Sequence, residues 1–201
     1  MNKDVKKKYI MSKKFEPHIY DKQEMVDIEK FKEFYNNSTL LKKWFALTAE
    51  TESGWVYDGF AINNTGGTLC LEFKDRKPYF LTKEDCFIEP PKYHNLMRLY
   101  RGYRIVPVYI NFFGDVIYIW LLPTVKQYHV YENIPIRGEI VDRYGLPWDD
   151  AFKFEKIEGK WVKTQTPVID VKPQAQYFRY LCPGCETPQD FLNNKVWKNY
   201  K

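Results

Sequence analysis

The chain has 201 residues, of which 44% are hydrophobic and 18% aromatic, and its formal net charge is +5. This length suits one domain with a real core, and this composition excludes a disordered chain. The mild positive charge fits an anionic partner without requiring one. No apolar run approaches the roughly 20 residues that cross a bilayer, so we expect a cytoplasmic protein without a membrane partner.

The first elements predicted are a basic tail and a helix. Residues 1–14 carry six lysines and one aspartate, and the tail over residues 1–19 could lie along phosphates or be simply solvated. In the helix, Asp21 is the predicted N-cap, and Glu24 completes a capping box. Its predicted apolar face consists of Met25, Ile28, Phe31 and Tyr35.

Three strands, a second helix and two further strands are predicted next. The three strands are KKWFALTAET, GWVYDGFAI and TLCLEFK, and the NNTGG at 63–67 favours a hairpin turn between the last two. The second helix starts at Pro90 and carries Lys92, Arg98 and Arg101. Two aromatic and β-branched strands then flank a turn at Gly114. The predicted order is therefore α-β-β-β-α-β-β.

The C-terminal part has a weaker pattern. We predict that residues 124–201 form a β-rich elaboration packed on a core of residues 20–123, with a hairpin tip at EGK, 158–160. Cys182 and Cys185 form a CPGC motif, which suggests half of a zinc site or a redox pair. Tetrahedral zinc needs two further ligands and no second CxxC exists, so the motif alone is a weak signal, and a zinc or redox role stays an alternative that metal analysis and thiol titration would test.

Two carboxylates are predicted to meet in the hairpin. Asp58 lies on the second strand and Glu72 on the third, and a turn near Thr65 pairs position 58 with a position close to 72. Like charges placed opposite each other repel unless a cation lies between them, and carboxylate oxygens suit Mg²⁺. Lys74 projects to the same face as Glu72, where it could orient a water or neutralise a phosphate.

Each of these residues also has a simpler explanation. Asp58 precedes Gly59, and Asp-Gly is a common turn signal. Glu72 and Lys74 could form an exposed ion pair on an edge strand, which would contribute little to stability. The three residues indicate a site because all of them are predicted on one face of one hairpin.

The stretch YDGFAI…LCLEFK resembles the PD-(D/E)xK nuclease superfamily, whose fold also hosts type II restriction enzymes, Holliday-junction resolvases and phage-type exonucleases. Asp58 corresponds to the first acid, Glu72 to the second and Lys74 to the lysine, while Tyr57 stands where the family name has Pro. The predicted order of elements over about residues 20–122 is also similar. The resemblance implies an α/β fold with a restriction-endonuclease-like core, in which helices flank a central mixed β-sheet.

The resemblance also implies a function. It is that of a Mg²⁺-dependent nuclease, with Mn²⁺ as a substitute, that hydrolyses phosphodiester bonds in DNA or in RNA, and dimers are frequent in the superfamily. Asp58, Glu72 and the backbone carbonyl of Phe73 would bind the metal, and Lys74 would orient the attacking water. A further acid from the first helix would be Glu24 or Glu29, although exposed helix glutamates are common without any such role.

Four basic residues are candidates for nucleic-acid binding. Lys92 is implied as a phosphate contact by its place on the second helix, and Arg98 lies on the same helix. Arg76 and Lys77 are expected to be solvated charges at a strand end that at most touch a phosphate. The alternative is a non-catalytic nucleic-acid-binding or scaffold domain with the same fold, which a Lys74–Glu72 hydrogen bond without metal affinity would favour.

Overall fold

The computed structural model describes residues 17–37, 44–48, 58–63, 67–136 and 138–168. Within these ranges the protein has two helices and ten strands. The helices are α1 (Pro17–Asn37) and α2 (Pro90–Tyr103). The strands are β1 (Trp44–Thr48), β2 (Gly59–Asn63), β3 (Thr68–Asp75), β4 (Asp85–Ile88), β5 (Val106–Phe112), β6 (Val116–Leu121), β7 (His129–Ile136), β8 (Glu139–Pro147), β9 (Phe152–Ile157) and β10 (Lys160–Gln165). Among the described helices, none combines the length and the apolar composition that crossing a membrane requires.

Seven strands form a large mixed sheet in the order β1-β2-β3-β5-β6-β9-β10. All neighbours are antiparallel except β3 and β5, which are parallel. A parallel pair needs a crossover connection, and α2 lies within the one that joins β3 to β5. The predicted α/β class with a mixed sheet is therefore confirmed.

A second, antiparallel sheet has the order β4-β8-β7. The sequence did not predict β4, which has four residues and lies inside the crossover between β3 and α2. Its partner β8 comes from the C-terminal part of the chain. The stretch after residue 123 is thus strand-rich, as expected, and its strands pair directly with those of the earlier part.

The large sheet separates two apolar clusters, because side chains alternate along each strand. On one side Leu71 and Phe73 pack with Phe31 and Phe34 of α1, and the ring centroids of Phe73 and Phe31 are 4.8 Å apart. On the other side Cys70 packs with residues of α2 and of the small sheet. Burying each such large apolar side chain contributes about 1.5–3 kcal/mol. Glu72 and Lys74, which alternate with Phe73, therefore face α2.

The start of α1 differs from the prediction. The helix begins at Pro17 and not after an N-cap at Asp21, so the predicted basic tail over residues 1–19 overlaps its first turn. Proline suits the first turn of a helix, because its missing N–H has no partner there in any case. The capping box at Asp21 and Glu24 is therefore wrong, since both residues lie inside the helix.

Two hairpin tips agree with the sequence. Glu158 and Gly159 join β9 to β10 with φ of 50° and 76°, a left-handed conformation that glycine adopts readily. Gly114, with φ of 66°, lies between β5 and β6. The predicted turn near Thr65 and the CPGC motif lie outside the described residues.

Candidate active site

The register of β2 against β3 brings Asp58 to Glu72. Gly59 pairs with Leu71, so the next position along each strand places the two acids side by side. The N–H of Asp58 donates to the Leu71 carbonyl at 2.8 Å, and the N–H of Phe73 donates to Oδ2 of Asp58 at 2.6 Å. The predicted pairing of positions 58 and 72 is confirmed, and the backbone of β3 holds the Asp58 carboxylate in place.

Glu72 is a fully buried carboxylate with two lysines beside it. Its side chain is 0% exposed, and its Oε1 lies 2.9 Å from Nζ of Lys92 and 3.2 Å from Nζ of Lys74. Both ammonium groups therefore satisfy Oε1, while Oε2 has no partner among the described residues. An unsatisfied buried acceptor costs about 1–3 kcal/mol, so this carboxylate has unused capacity for a cation.

The environment of Asp58 favours its protonated form. Burial, and then the negative charge of Glu72, raise the pKa of Asp58 from 3.8 to about 7, although the Phe73 N–H and the two lysines oppose the shift. Asp58 therefore keeps its proton to a much higher pH than an ordinary aspartate does. A divalent cation between the two acids would remove their repulsion and favour the ionised form.

Lys74 stays charged at neutral pH. Burial lowers the pKa of Lys74, but the neighbouring Glu72 carboxylate, with Tyr109 and Asp58, outweighs burial and raises it overall. The side chain is 42% exposed, so its ammonium group reaches from Glu72 to solvent. Such a group donates hydrogen bonds and cannot accept a proton, which suits it to orienting a water or an anionic oxygen.

Lys92 comes to the site from a different element. It lies in the first turn of α2, three residues after the N-cap Glu89, and the helix begins there because Pro90 fits its first position. Its side chain is 22% exposed and its Nζ contacts Glu72. The sequence placed Lys92 as a phosphate contact, and the structure adds a direct ion pair with the central carboxylate.

Glu29 of α1 does not join this arrangement. Glu29 is exposed and pairs with Lys32 at 2.7 Å, and α1 packs on the sheet face opposite to Glu72. Glu29 is therefore an exposed helix glutamate, as the sequence favoured, and the sheet lies between it and Glu72. Glu24 belongs to the same helix, and its side chain lies outside the described part of the chain.

Arg76 is an internal anchor and not the solvated strand-end charge expected from the sequence. Its guanidinium donates to Oδ1 of Asn111 at 2.5 Å, to the Phe87 carbonyl at 2.6 Å and to the Tyr109 hydroxyl at 2.8 Å. These bonds connect β3 with β5 and with β4. In the sequence, the polar residues Tyr109 and Asn111 within the otherwise apolar β5 indicate that a polar side chain lies beside this strand. Lys77 and Arg98, by contrast, are exposed.

The donor set fits a hard divalent cation. Asp58 and Glu72 supply two buried carboxylates side by side, Oε2 of Glu72 has no partner among the described residues, and such cations prefer oxygen ligands together with waters. In the described ranges no group of three or more His, Cys, Asp or Glu residues is placed to hold a metal. The backbone carbonyl of Phe73 is the further oxygen ligand that the resemblance implies.

Comparison with protein-family models and with curated proteins finds no match. The function is therefore argued from the geometry of Asp58, Glu72, Lys74 and Lys92.

Proposed function

We propose that this protein is a Mg²⁺-dependent nuclease of the PD-(D/E)xK type that hydrolyses phosphodiester bonds in DNA. The observation that carries the proposal is the meeting of Asp58 and Glu72 on adjacent strands, with the Lys74 ammonium 3.2 Å from Glu72. Metal-dependent hydrolysis of a phosphodiester requires carboxylates that hold the cation and a lysine that donates to the attacking water, and these groups lie on one face of the sheet. The resemblance in sequence supports the same assignment.

Each residue has a separate role in this proposal. Asp58, Glu72 and the Phe73 carbonyl would hold the cation, and the hydrogen bond from the Phe73 N–H fixes the Asp58 carboxylate next to Glu72. A bound Mg²⁺ would supply Lewis-acid stabilisation of the phosphate charge and a more acidic water. Lys74 donates a hydrogen bond that orients the attacking water toward phosphorus. It also stabilises negative charge that develops on the phosphate oxygens.

The order of elements supports a restriction-endonuclease-like core. Helix α1 precedes an antiparallel β1-β2-β3 unit, and α2 precedes β5, which runs parallel to β3. This is the helix, three strands, helix and strand order that the resemblance implies. The short strand β4 is an addition to it within the crossover.

The experiment is a cleavage panel with plasmid, linear, single-stranded and branched DNA, and a parallel RNA set, in Mg²⁺, Mn²⁺ or EDTA. We expect divalent-metal-dependent cleavage of at least one substrate by the wild type and none by Asp58→Ala. Cleavage that persists in EDTA, or an active Asp58→Ala protein, would refute the proposal. Sedimentation of the same sample tests the homodimer, which stays a prediction.

One observation favours a second candidate, a non-catalytic nucleic-acid-binding or scaffold domain. Glu72 already has two ammonium groups within 3.2 Å, so lysines can neutralise it without a metal. Titration with Mn²⁺ separates the two candidates. A wild-type protein that binds nucleic acid but no Mn²⁺ would support the second candidate, whereas Mn²⁺ binding that Glu72→Gln abolishes supports the nuclease.

A further inference from the structure

The buried carboxylate of Glu72, with Asp58 next to it, has two lysine ammonium groups beside it. Its one negative charge faces Lys92 at 2.9 Å and Lys74 at 3.2 Å, both on the same oxygen, Oε1. The other oxygen has no hydrogen-bond partner among the described residues. A divalent cation bound between Asp58 and Glu72 would repel both ammonium groups, and it would compete with them for the Glu72 oxygens.

Lys92 is the lysine that can leave. In the proposed function Lys74, two residues after Glu72 on β3, stays beside the cation to orient the attacking water. Lys92 is on α2, and its only described link to β3 is the ion pair with Glu72. Its flexible four-carbon stem allows the ammonium to swing through several ångströms while the helix stays in place.

We infer that Lys92 is an internal counter-cation that occupies Glu72 in the metal-free protein, competes with the divalent cation for this carboxylate, and turns to the substrate phosphate when the cation binds. This inference rests on the proposed function. The first turn of α2 also favours an anion, because the helix dipole is positive there. A phosphate that approaches the metal would therefore be attracted both by the positive end of the helix dipole and by the released ammonium of Lys92.

The test measures metal affinity without any catalysis. Calorimetric titration with Mn²⁺, in the absence of nucleic acid, compares the wild type with Lys92→Met, Lys92→Gln and Lys92→Arg. The competition predicts that the Met and Gln variants bind Mn²⁺ about 10-fold more tightly, while Lys92→Arg, which keeps the charge, stays close to the wild type. Lys160→Met is the matched control, since Lys160 is an exposed lysine on β10, and it should leave the affinity unchanged.

A second measurement tests the phosphate part. With Ca²⁺ in place of Mg²⁺, since both are hard cations that prefer oxygen ligands, we expect Lys92→Met to bind duplex DNA about 10-fold more weakly than the wild type despite its higher affinity for the metal. If the ion pair were merely structural, its loss would not raise the affinity for metal and at the same time lower the affinity for DNA. The Gln variant gives the same comparison if the Met variant does not fold.

The outcomes separate this inference from the proposed function. If the wild type binds Mn²⁺, Glu72→Gln abolishes binding and the Lys92 variants bind no more tightly than the wild type, then the inference is overturned and the nuclease proposal stands. If the wild type binds no Mn²⁺ at all, both are overturned. Tighter metal binding with unchanged DNA binding would overturn the transfer of Lys92 to the phosphate.

Discussion

At the scale of single residues, Asp58 makes the stability of the metal-free protein depend on pH. Its pKa of about 7 in the folded protein exceeds its ordinary value of 3.8. Between these values the folded protein keeps a proton that the unfolded chain has lost, so the free energy of unfolding falls as pH rises from about 4 to 7 and levels off above. The expected contribution is about 2–4 kcal/mol.

The measurement is urea unfolding in EDTA at intervals from pH 4 to pH 8. Asp58→Asn removes the group that titrates. The free energy of unfolding of this variant minus that of the wild type should therefore increase from about pH 4 to pH 7 and stay constant above pH 7. Asp115→Asn, at an exposed carboxylate in the β5–β6 turn, is the control and should follow the wild type. Parallel curves for Asp58→Asn and the wild type would contradict the raised pKa.

A second prediction at this scale concerns Lys74. Because the pKa of Lys74 is raised, its ammonium donates throughout the neutral range, and Lys74→Met removes that donor while keeping most of the aliphatic stem. We expect the rate of DNA cleavage to fall by about 10²–10⁴. DNA affinity in Ca²⁺ should change only a few-fold. Lys160→Met serves again as the control, and a Lys74→Met protein with wild-type activity would exclude the proposed role.

The sequence predicts contacts between neighbouring strands better than contacts between distant elements. Asp58 and Glu72 could be brought together from the sequence because a short turn fixes the register of a hairpin. The Lys92–Glu72 ion pair could not, since it depends on how α2 packs on the sheet. The anchoring of Arg76 was missed for the same reason, because its partner Phe87 belongs to the unpredicted β4.

At the scale of elements, β8 is the central strand of the small sheet, and one of its positions accommodates only glycine. A Cβ on Gly145 would lie 2.5 Å from Cε2 of Tyr131 and nearer still to Oδ2 of Asp85. The buried Asp85 carboxylate uses this space to accept hydrogen bonds from Nδ1 of His129 at 2.6 Å and from the Tyr131 hydroxyl at 2.7 Å. A side chain at position 145 would therefore disrupt the hydrogen bonds that join Asp85 of β4 to His129 and Tyr131 of β7.

We predict that Gly145→Ala lowers the free energy of unfolding by about 1–3 kcal/mol. Gly102→Ala on α2 is the matched control, because nothing lies within 4 Å of its Cβ position and its φ is not positive. Alanine is the better helix former there, by roughly 0.5–1 kcal/mol. Urea unfolding of both variants measures the difference, and equal stabilities would show that the small sheet tolerates the added methyl group.

Long elements with a clear period were predicted, and short or interrupted ones were not. The apolar spacing of Tyr93, Leu96 and Met97 identified α2, and all three are buried. By contrast, β4 has four residues, and it begins with the charged Asp85. Its identity depends on β8, which is about 55 residues further along the chain, so no local pattern could reveal it.

At the scale of the whole molecule, the C-terminal part completes both sheets. Strand β9 pairs with β6, and β8 pairs with β4. Phe154 of β9 lies against Phe34 of α1, with ring centroids 4.9 Å apart. From the sequence, residues 124–201 were described as an elaboration on a separate core. The hydrophobic pattern of β8 and β9 is weak because these strands are buried by β4 and β6, which are far away in the sequence.

We therefore predict that a chain of residues 1–123 does not fold cooperatively. Without β9, strand β6 becomes an edge, and Ile117 and Ile119 lose the strand beside them. Without β8, the short strand β4 has no partner. Near-ultraviolet circular dichroism and urea unfolding test this, and we expect weak tertiary signal and a broad transition. A sharp unfolding transition for this fragment would show that the first 123 residues form an independent domain.

A point substitution in the full chain tests the same dependence without removing any residues. Phe154→Ala should lower the free energy of unfolding by about 3–5 kcal/mol, because it leaves a cavity between the large sheet and α1. Val162→Ala on the adjacent β10 is the control, since Val162 is exposed, and it should change stability by less than about 0.5 kcal/mol. If Phe154→Ala is as mild as the control, then β9 is dispensable to the core that holds Asp58 and Glu72.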